Sequence, residues 1–369
     1  MTGRPDHVLV VNAGSSSLKV RLLDAADEVV DTLDLDDWDG EDTAELERFV
    51  HGLSAVDAVG HRIVHGGRRF REPVRVDDEV RDEVAALAEL APLHQPRGVA
   101  GIDALRRVLS DTPAVACFDT AFHATIPEPA ATYALPAEWN RRWGLRRYGF
   151  HGLSHAYVTR RVSQLVGTPA ERLRIVSCHL GAGASLAAVS GGRSVDTTMG
   201  FTPLAGLVMA TRTGSVDPGL VLWLQQEAGV DAESLSHALE FESGLAGLAG
   251  GTGDMREVMS GMDSGGDASR LAFEVYTHRL RREIAAMTGS LGGIDVLAFT
   301  GGVGEHNPRV RAEVAGGLAY LGVELDEAAN EAVAEDADIA AAGAGVRTLV
   351  VGAREDVEIA AHTRRTLGA

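Results

Sequence analysis

The chain has 369 residues, 45% of them hydrophobic, which is enough for substantial cores and suggests two domains rather than one. A formal net charge of −19 argues against nucleic acid or an anionic membrane surface as partner, and any anionic substrate must be drawn in by local arginines against the overall field. The two cysteines, Cys117 and Cys178, each sit in an apolar run and read as buried thiols of a reducing compartment; no signal-like N-terminus or membrane-length apolar run is present, so a soluble, cytoplasmic protein is expected.

The apolar run Val8–Val11 reads as a buried strand. It breaks at the turn Asn12-Ala13-Gly14-Ser15-Ser16-Ser17 and resumes as an alternating strand over 18–23. A glycine and three serines at a hairpin tip, with Lys19 beside them, offer backbone N–H groups and hydroxyls of the kind that hold phosphate. The same residues also make ordinary turns, so the tip alone leaves both readings open. An acidic edge segment follows over 24–42. A strand over 55–64 then delivers Gly60-His61-Arg62-Ile63-Val64-His65-Gly66-Gly67, whose glycine pair lets the chain turn and a ligand approach.

Helices are predicted over 77–90, behind an Asp77 cap, and over 95–109, with Pro96 in the first turn. The strand over 114–118 ends in Asp119-Thr120-Ala121-Phe122-His123. Functional groups gather at the carboxyl ends of parallel strands, which favours a role for Asp119. Arg62 could equally be a surface ion pair. His61, His65, His123 and His155 read as hydrogen-bonding framework. Residues 124–150 look irregular, a crossover between domains, and their basic cluster (Arg141, Arg142, Arg146, Arg147) is too short, in so acidic a chain, to suggest nucleic acid.

After Tyr148-Gly149-Phe150-His151-Gly152 comes a helix capped near Ser154, and then the opening device returns. A strand over 173–178, a small-residue turn from His179 through Gly181, Ala182 and Gly183, and a return strand over 187–189 repeat the first hairpin, each copy ending Ser-Leu. Two copies half a chain apart suggest duplicated domains facing one cleft. Thr211-Arg212-Thr213-Gly214-Ser215 precedes predicted helices over 218–240 and 267–288, with a glycine-rich loop over 243–253 and Asp254-Met255-Arg256 between them. A strand over 295–300 leads into a loop at Gly301-Gly302-Val303-Gly304, a helix starts at Pro308, and a last strand over 346–351 runs into Arg354-Glu355 and a terminal helix. This alternation is that of an α/β fold with a largely parallel sheet. The Gly301–Gly304 spacing is not a dinucleotide fingerprint, and no GxxxxGK[ST] segment occurs.

Taken together and in this order, Val-Asn12-Ala-Gly-Ser-Ser-Ser-Leu-Lys19, His61-Arg-Ile-Val-His-Gly-Gly67, Phe118-Asp-Thr-Ala-Phe-His123 and Tyr148-Gly-Phe-His-Gly152 closely resemble the acetate kinase family over nearly the whole chain. That family moves phosphoryl between ATP and acetate. The resemblance implies two actin-like (ribonuclease H-like) domains, duplicated mixed five-stranded sheets with helices around a central ATP cleft. It places them at 1–148, with a helix over 357–369 packing on it, and at 149–356, the latter binding nucleotide and forming a homodimer. ATP is implied as co-substrate, acetate as acceptor, and Mg²⁺ as the metal with Mn²⁺ as an alternative.

Residue by residue, the resemblance assigns Arg62, Asp119, His151 and Arg212 to catalysis, with His151 and Arg212 stabilising the transition state and Asp119 helping to orient Arg212 and the metal. It assigns Arg62, Val64, Leu93, Phe150 and Pro203 to the acid, and Asn12 and Glu355 to the metal. ATP falls to Asn12, Gly14, Ser15, Ser17, Lys19, His179, Gly181, Gly183, Asp254, Arg256, Gly301, Gly302 and Gly304. The chemistry agrees with this set. Phosphoryl transfer asks for in-line positioning and neutralised charge, a carboxylate needs no general base, and the arginine fork suits planar anions. Departures from the family pattern stand at Ala182, Thr213, Ser215, Gly302 and Arg354, which points any difference at nucleotide handling. The rival readings are a propionate or other short-chain acyl kinase of the same fold, and a nucleotide-binding homologue that has lost turnover.

Overall fold

The computed structural model describes residues 5–14, 17–38, 40–92 and 94–368. Ser15 and Leu93, both expected to touch ligand, lie outside the described residues. The chain divides into two compact units, one made of Met1–Ala124, Phe150–Tyr157 and Arg354–Ala369, the other of Thr125–Gly149 and Val158–Ala353.

In the first unit, β1 (Val8–Ala13) and β2 (Ser17–Leu23) form the expected hairpin, with Asn12 opposite Lys19. Then come β3 (Val29–Asp36), β4 (Ala58–Ile63), the two-residue β5 (Val74–Arg75) and β6 (Ala114–Phe118), in the spatial order β3-β2-β1-β4-β6-β5. β1, β4 and β6 are parallel neighbours. They are buried on both faces, which is why their sequences are continuous apolar runs. Helix Gln95–Val108 covers one face through Ala104 and Leu105. Helix Glu355–Leu367 covers the other so closely that a Cβ on Gly60 would stand 2.6 Å from Ile359 Cγ2. Edge strand β3 is mostly exposed and carries Asp31, Asp34 and Asp36, charges that discourage edge-to-edge pairing.

The second unit repeats this plan with β7 (Arg174–Leu180), β8 (Ala184–Ser190), β9 (Arg193–Thr197), β10 (Val296–Thr300), β11 (Ala337–Asp338) and β12 (Arg347–Val350), ordered β11-β12-β10-β7-β8-β9. Read from the hairpin edge, β3-β2-β1-β4-β6 and β9-β8-β7-β10-β12 share one series of pairings, antiparallel twice and then parallel twice. The repeat in the sequence is therefore a repeat of sheet topology. Each sheet has six strands rather than five, because a two-residue strand is added antiparallel at the far edge. Helix Asp267–Leu291 packs on β8 through a row of buried side chains that includes Phe273, Tyr276, Leu280 and Ile284.

Several expected boundaries move. The stretch 124–150 is not irregular, for it holds helices Glu128–Ala131 and Ala137–Trp143, the latter stopped by left-handed Gly144. The expected helix over 218–240 is two, Pro218–Gln226 and Ala232–Phe241, because the Asp231 carboxylate accepts the N–H groups of Glu233 and Ser234 and starts a new helix. The glycine-rich 243–253 loop contains helix Gly244–Ala249, and Gly301–Gly304 is the first turn of helix Gly301–His306 rather than a loop. The helix expected near Ser154 begins at Gly152. Arg147 of the basic cluster donates to the Thr197, Thr198 and Met199 carbonyls, a structural use of its charge. Among the described residues no helix is long and apolar enough to cross a membrane. Cys117 and Cys178 are fully buried, and burial pushes both thiols above their ordinary pKa.

Burial also pushes His61, His65 and His123 down to about 4. Each is neutral when folded, whereas an unfolded histidine takes up a proton near pH 6.5. Their stability is intact above that pH and is lost as pH falls toward 4, by roughly 2–3 kcal/mol per ring. The His61 Nε2 atom is buried without a hydrogen-bond partner among the described residues. His61→Leu is expected to keep the urea midpoint at pH 7 and to lose less of it between pH 7 and pH 5 than the parent. Parallel pH curves for the two proteins would contradict the assignment.

Candidate functional site

Three parallel strands of the first unit end together, and each delivers one polar group. Asn12 is next to last in β1, Arg62 is next to last in β4 and directly beside it, and Asp119 follows β6. The Arg62 fork grips Asp119 at both nitrogens, Nε to Oδ1 at 3.3 Å and Nη2 to Oδ2 at 2.6 Å. Its remaining nitrogen, Nη1, donates to Asn12 Oδ1 and to the Ala13 carbonyl, both at 3.2 Å. Asn12 Nδ2 in turn donates to Glu355 Oε2 at 3.2 Å, and Glu355 opens the terminal helix. Side-chain exposure is 12% for Arg62 and 1% for Asp119, so this is a desolvated pair and no surface bridge. Burial works against the Arg62 charge, but Asp119 and Glu355 outweigh it and hold the guanidinium above its ordinary pKa.

The Tyr-Gly-Phe-His-Gly segment is tied to the same corner. Gly152 N–H donates to the Asp119 carbonyl at 2.9 Å, and a Cβ on Gly152 would stand 2.0 Å from that oxygen. Only glycine admits this approach. It seats His151 one residue away in the left-handed region, φ 55°, with its carbonyl accepting from His155 N. A non-glycine residue held there is strained, and such strain collects at functional sites. His123 Nε2 lies 3.0 Å from the Phe150 carbonyl, and the His65 and Phe150 rings meet edge to face at 5.5 Å. Val64 and Phe150 are buried at 5% and 1% exposure. Gln95 exchanges hydrogen bonds with the His65 backbone and so fixes the His-Gly-Gly turn, a role that a lone glutamine at a helix start does not advertise in sequence.

At the hairpin tip the Gly14 N–H donates to Ser17 O at 2.7 Å, and Lys19 projects exposed from β2. The matching tip of the second unit closes with Gly181 N–H to Gly183 O at 3.0 Å, and half-buried His179 sits at the end of β7. The Ala182 carbonyl accepts from Ala210 N, which joins this tip to the tight turn that carries Arg212, itself closed by Met209 N–H to Arg212 O. The turn is clamped from the far side. Gly244, φ 63°, lies where a Cβ would be 2.3 Å from the Met209 carbonyl, and Thr211 Oγ1 donates to Glu240 O. The glycine-rich loop is thus a mould for the Arg212 turn, a function that its composition alone did not reveal. The Arg212 guanidinium donates no hydrogen bond to a described residue. Burial lowers its pKa, with the Glu240 charge opposing. A desolvated cation without a partner among the described residues suits an incoming anion.

The remaining candidates fall in line with the chain. Asp254 caps helix Met255–Asp263 through the Arg256 N–H and also pairs with the Arg256 side chain, which holds its carboxyl below the usual range. Pro203 is half-buried in the loop before Arg212. Gly301, Gly302 and Gly304 line one turn at the end of β10. Among the departures, Ser215 Oγ accepts the Gly206 N–H at 3.0 Å and closes the loop around Thr213. Arg354 spends its guanidinium on Asp356 and the Asp27 carbonyl.

A hard divalent cation fits this donor set. Glu355 spends Oε2 on Asn12, and its other oxygen has no partner among the described residues. No group of three or more His, Cys, Asp or Glu able to hold a metal occurs among the described residues. A hard cation such as Mg²⁺ is commonly held by one or two carboxylates plus substrate phosphates, and the Glu355 carboxylate is a donor of that kind.

The profile described as the Acetokinase family matches residues 41–361. An acetate kinase of Nostoc punctiforme is 41% identical over 397 residues, taking in 96% of this chain and 98% of the relative. The crystal structure of Porphyromonas gingivalis acetate kinase aligns at a TM-score of 0.91 and 34% identity, covering 98% of this chain and 100% of its own. A propionate kinase from Francisella tularensis aligns at 0.90 and 32%, covering 98% and 99%.

Gly152→Ala places a methyl group against the Asp119 carbonyl. It is expected to cost about 1–3 kcal/mol, as overpacking does, read as a melting temperature several degrees lower. An unchanged melting temperature would mean that the helix start is free to retreat.

Proposed function

The chain belongs to the acetokinase family, and on that premise we propose that it transfers the γ-phosphoryl of ATP to acetate by direct in-line attack with Mg²⁺, giving acetyl phosphate and ADP. Its enzyme class is that of an ATP:acetate phosphotransferase. The observation that carries the proposed mechanism is the Arg62 fork. It is desolvated, locked to Asp119 and set beside Asn12 and Glu355 at the ends of three parallel strands.

In the proposed step, an acetate carboxylate oxygen forms a bond to the γ-phosphorus while the bond from that phosphorus to the β–γ bridging oxygen breaks, its electron pair leaving with ADP. The acceptor is ionised at neutral pH, so no proton has to be removed from it. Arg62 and Arg212 are assigned to the equatorial oxygens and the carboxylate, and the His151 ring to a hydrogen bond with the moving phosphoryl. Asp119, which the resemblance had orienting Arg212, is bonded to Arg62 and is assigned to positioning that arginine. Val64, Phe150 and Pro203, with Leu93, are assigned to the methyl group. Bound Mg²⁺, held by Glu355 and Asn12, would neutralise phosphate charge. The Gly14–Ser17 tip with Lys19, and His179 with Gly181 and Gly183, are assigned to the phosphate tail. Asp254, Arg256 and the Gly301–Gly304 turn are assigned to adenosine.

The retained arginines speak against a turnover-dead binding protein. Propionate stands as the second acceptor reading, supported by the likeness to a propionate kinase. A cytoplasmic homodimer completes the proposal; exposed Leu220, Leu222, Trp223 and Phe241 on the second unit support self-association.

Acyl phosphate trapped as hydroxamate, with acetate, propionate and butyrate compared at saturating MgATP, tests the acceptor. Acetate is expected to be turned over best. Preference for a longer acid would move the acceptor and leave the mechanism, and no product with any acid would defeat the proposal. Arg212→Ala is expected to lower kcat by roughly 10³-fold or more. Glu355→Gln is expected to raise the Mg²⁺ concentration needed for half-maximal rate by about tenfold or more, and an unchanged Mg²⁺ titration would remove Glu355 from the metal site.

A further inference from the structure

Arg311, on helix Pro308–Gly316, is 1% exposed and lies between buried Val310 and Val314. No carboxylate forms an ion pair with it among the described residues. Its guanidinium is spent on neutral oxygens: Nε donates to Asn330 Oδ1 and Nη2 to the Asn330 carbonyl, both at 2.7 Å. Nη1 donates to the Gly304 and Glu305 carbonyls, both at 2.8 Å. Asn330 is itself buried and donates to the Pro308 carbonyl at 3.0 Å. Burial lowers the Arg311 pKa, against the opposing charge of Glu331.

Burying a charge costs several kcal/mol, and an apolar residue of similar volume is often as stable or more so. Stability alone does not call for an arginine here. What it contributes is geometry. The Gly304 and Glu305 carbonyls belong to the last turn of helix Gly301–His306, the end where a cation is favoured. At the other end, Glu305 Oε1 accepts the Gly301 N–H at 2.8 Å and the Ala353 N–H at 3.0 Å. This short glycine-rich segment is therefore fastened at both ends. Its middle is open, since a Cβ on Gly302 would meet no heavy atom within 4 Å.

We propose that Arg311, with Asn330, is a positioning residue for the adenine nucleotide, holding the Gly301–Gly304 main chain in the shape that receives adenosine. The proposal rests on the reading of that turn as the adenosine contact. It gives Arg311 no contact with substrate, so its effect belongs in nucleotide affinity and not in the chemical step.

The test compares Arg311→Met, Arg311→Lys, Asn330→Ala and Gly302→Leu in the full chain. It measures ADP affinity by calorimetry, KM for ATP and for acetate, kcat and melting temperature. Arg311→Met is expected to weaken ADP binding and raise KM for ATP by about tenfold or more, with KM for acetate and kcat at saturating ATP within about threefold. Arg311→Lys should recover part of the loss. Gly302→Leu, whose side chain enters open space, reports on the turn itself and should weaken ADP at an unchanged melting temperature. If Gly302→Leu weakens ADP and Arg311→Met does not, the positioning role is overturned while the adenosine reading survives. If neither weakens ADP, the adenosine reading fails and takes the proposal with it. A uniform loss across ADP, acetate and kcat that tracks the melting temperature would reduce Arg311 to a structural residue. Should Arg311→Met fail to fold, Asn330→Ala decides. A rise of about threefold in ADP dissociation constant with acetate KM unchanged supports the proposal, and no rise overturns it.

Discussion

Taking the Arg62 guanidinium and the Asp119 carboxylate out of water costs several kcal/mol per ion, and the cost is recovered only where geometry is good and the leftover donors are satisfied. Here both conditions hold. The fork is bidentate, and its third nitrogen is taken by Asn12 and Ala13. Everything around the pair follows from the need to hold these charges still. β1, β4 and β6 run parallel so that their ends coincide, Gly152 lets a helix start touch the Asp119 backbone, and Asn12 passes the network on to Glu355. A chain of net charge −19 would repel an anionic substrate, so a preorganised cation is the feature that its chemistry most needs.

The second unit solves the opposite problem. Arg212 is fixed through its backbone, by a turn closed on itself and pressed by Gly244, while its guanidinium has no partner among the described residues. Arg62 is held by its side chain and Arg212 by its main chain. A cation engaged beforehand stays oriented with little further loss of entropy, whereas one left unpaired gains most when an anion arrives. The same economy recurs at Arg311, where a buried cation shapes backbone and pairs with no carboxylate among the described residues.

Much of this was legible in the residues. β6 was expected at 114–118 and is found at Ala114–Phe118, because a continuous apolar run between turn signals leaves a doubly covered strand little room to shift. Asp119 stood out by its place after a parallel strand, where functional groups gather, whereas Asn12 and Arg62 were named through the family resemblance. The misses have a common cause. The 124–150 stretch looked irregular because its helices are short and opened by proline, so no amphipathic period accumulates. The 243–253 segment read only as a glycine-rich loop, although Gly244 and Gly253 in it allow close backbone approach to the Arg212 turn. Nothing local marks Gln95 or Arg311, whose partners lie far along the chain or on other elements, and the motif that contains Gly152 does not disclose its contact with the Asp119 carbonyl.

The sequence by itself determined the α/β class, the duplicated strand-turn-strand plan, the family and the residue types of the site. These depend on local pattern and on motifs a few residues long. Tertiary structure alone decided which carboxylate holds which arginine, how many strands complete each sheet, and which buried polar groups shape backbone instead of meeting substrate. Such pairings are settled by desolvation, which makes a buried charge find a partner wherever the fold supplies one, and sequence spacing does not encode that distance.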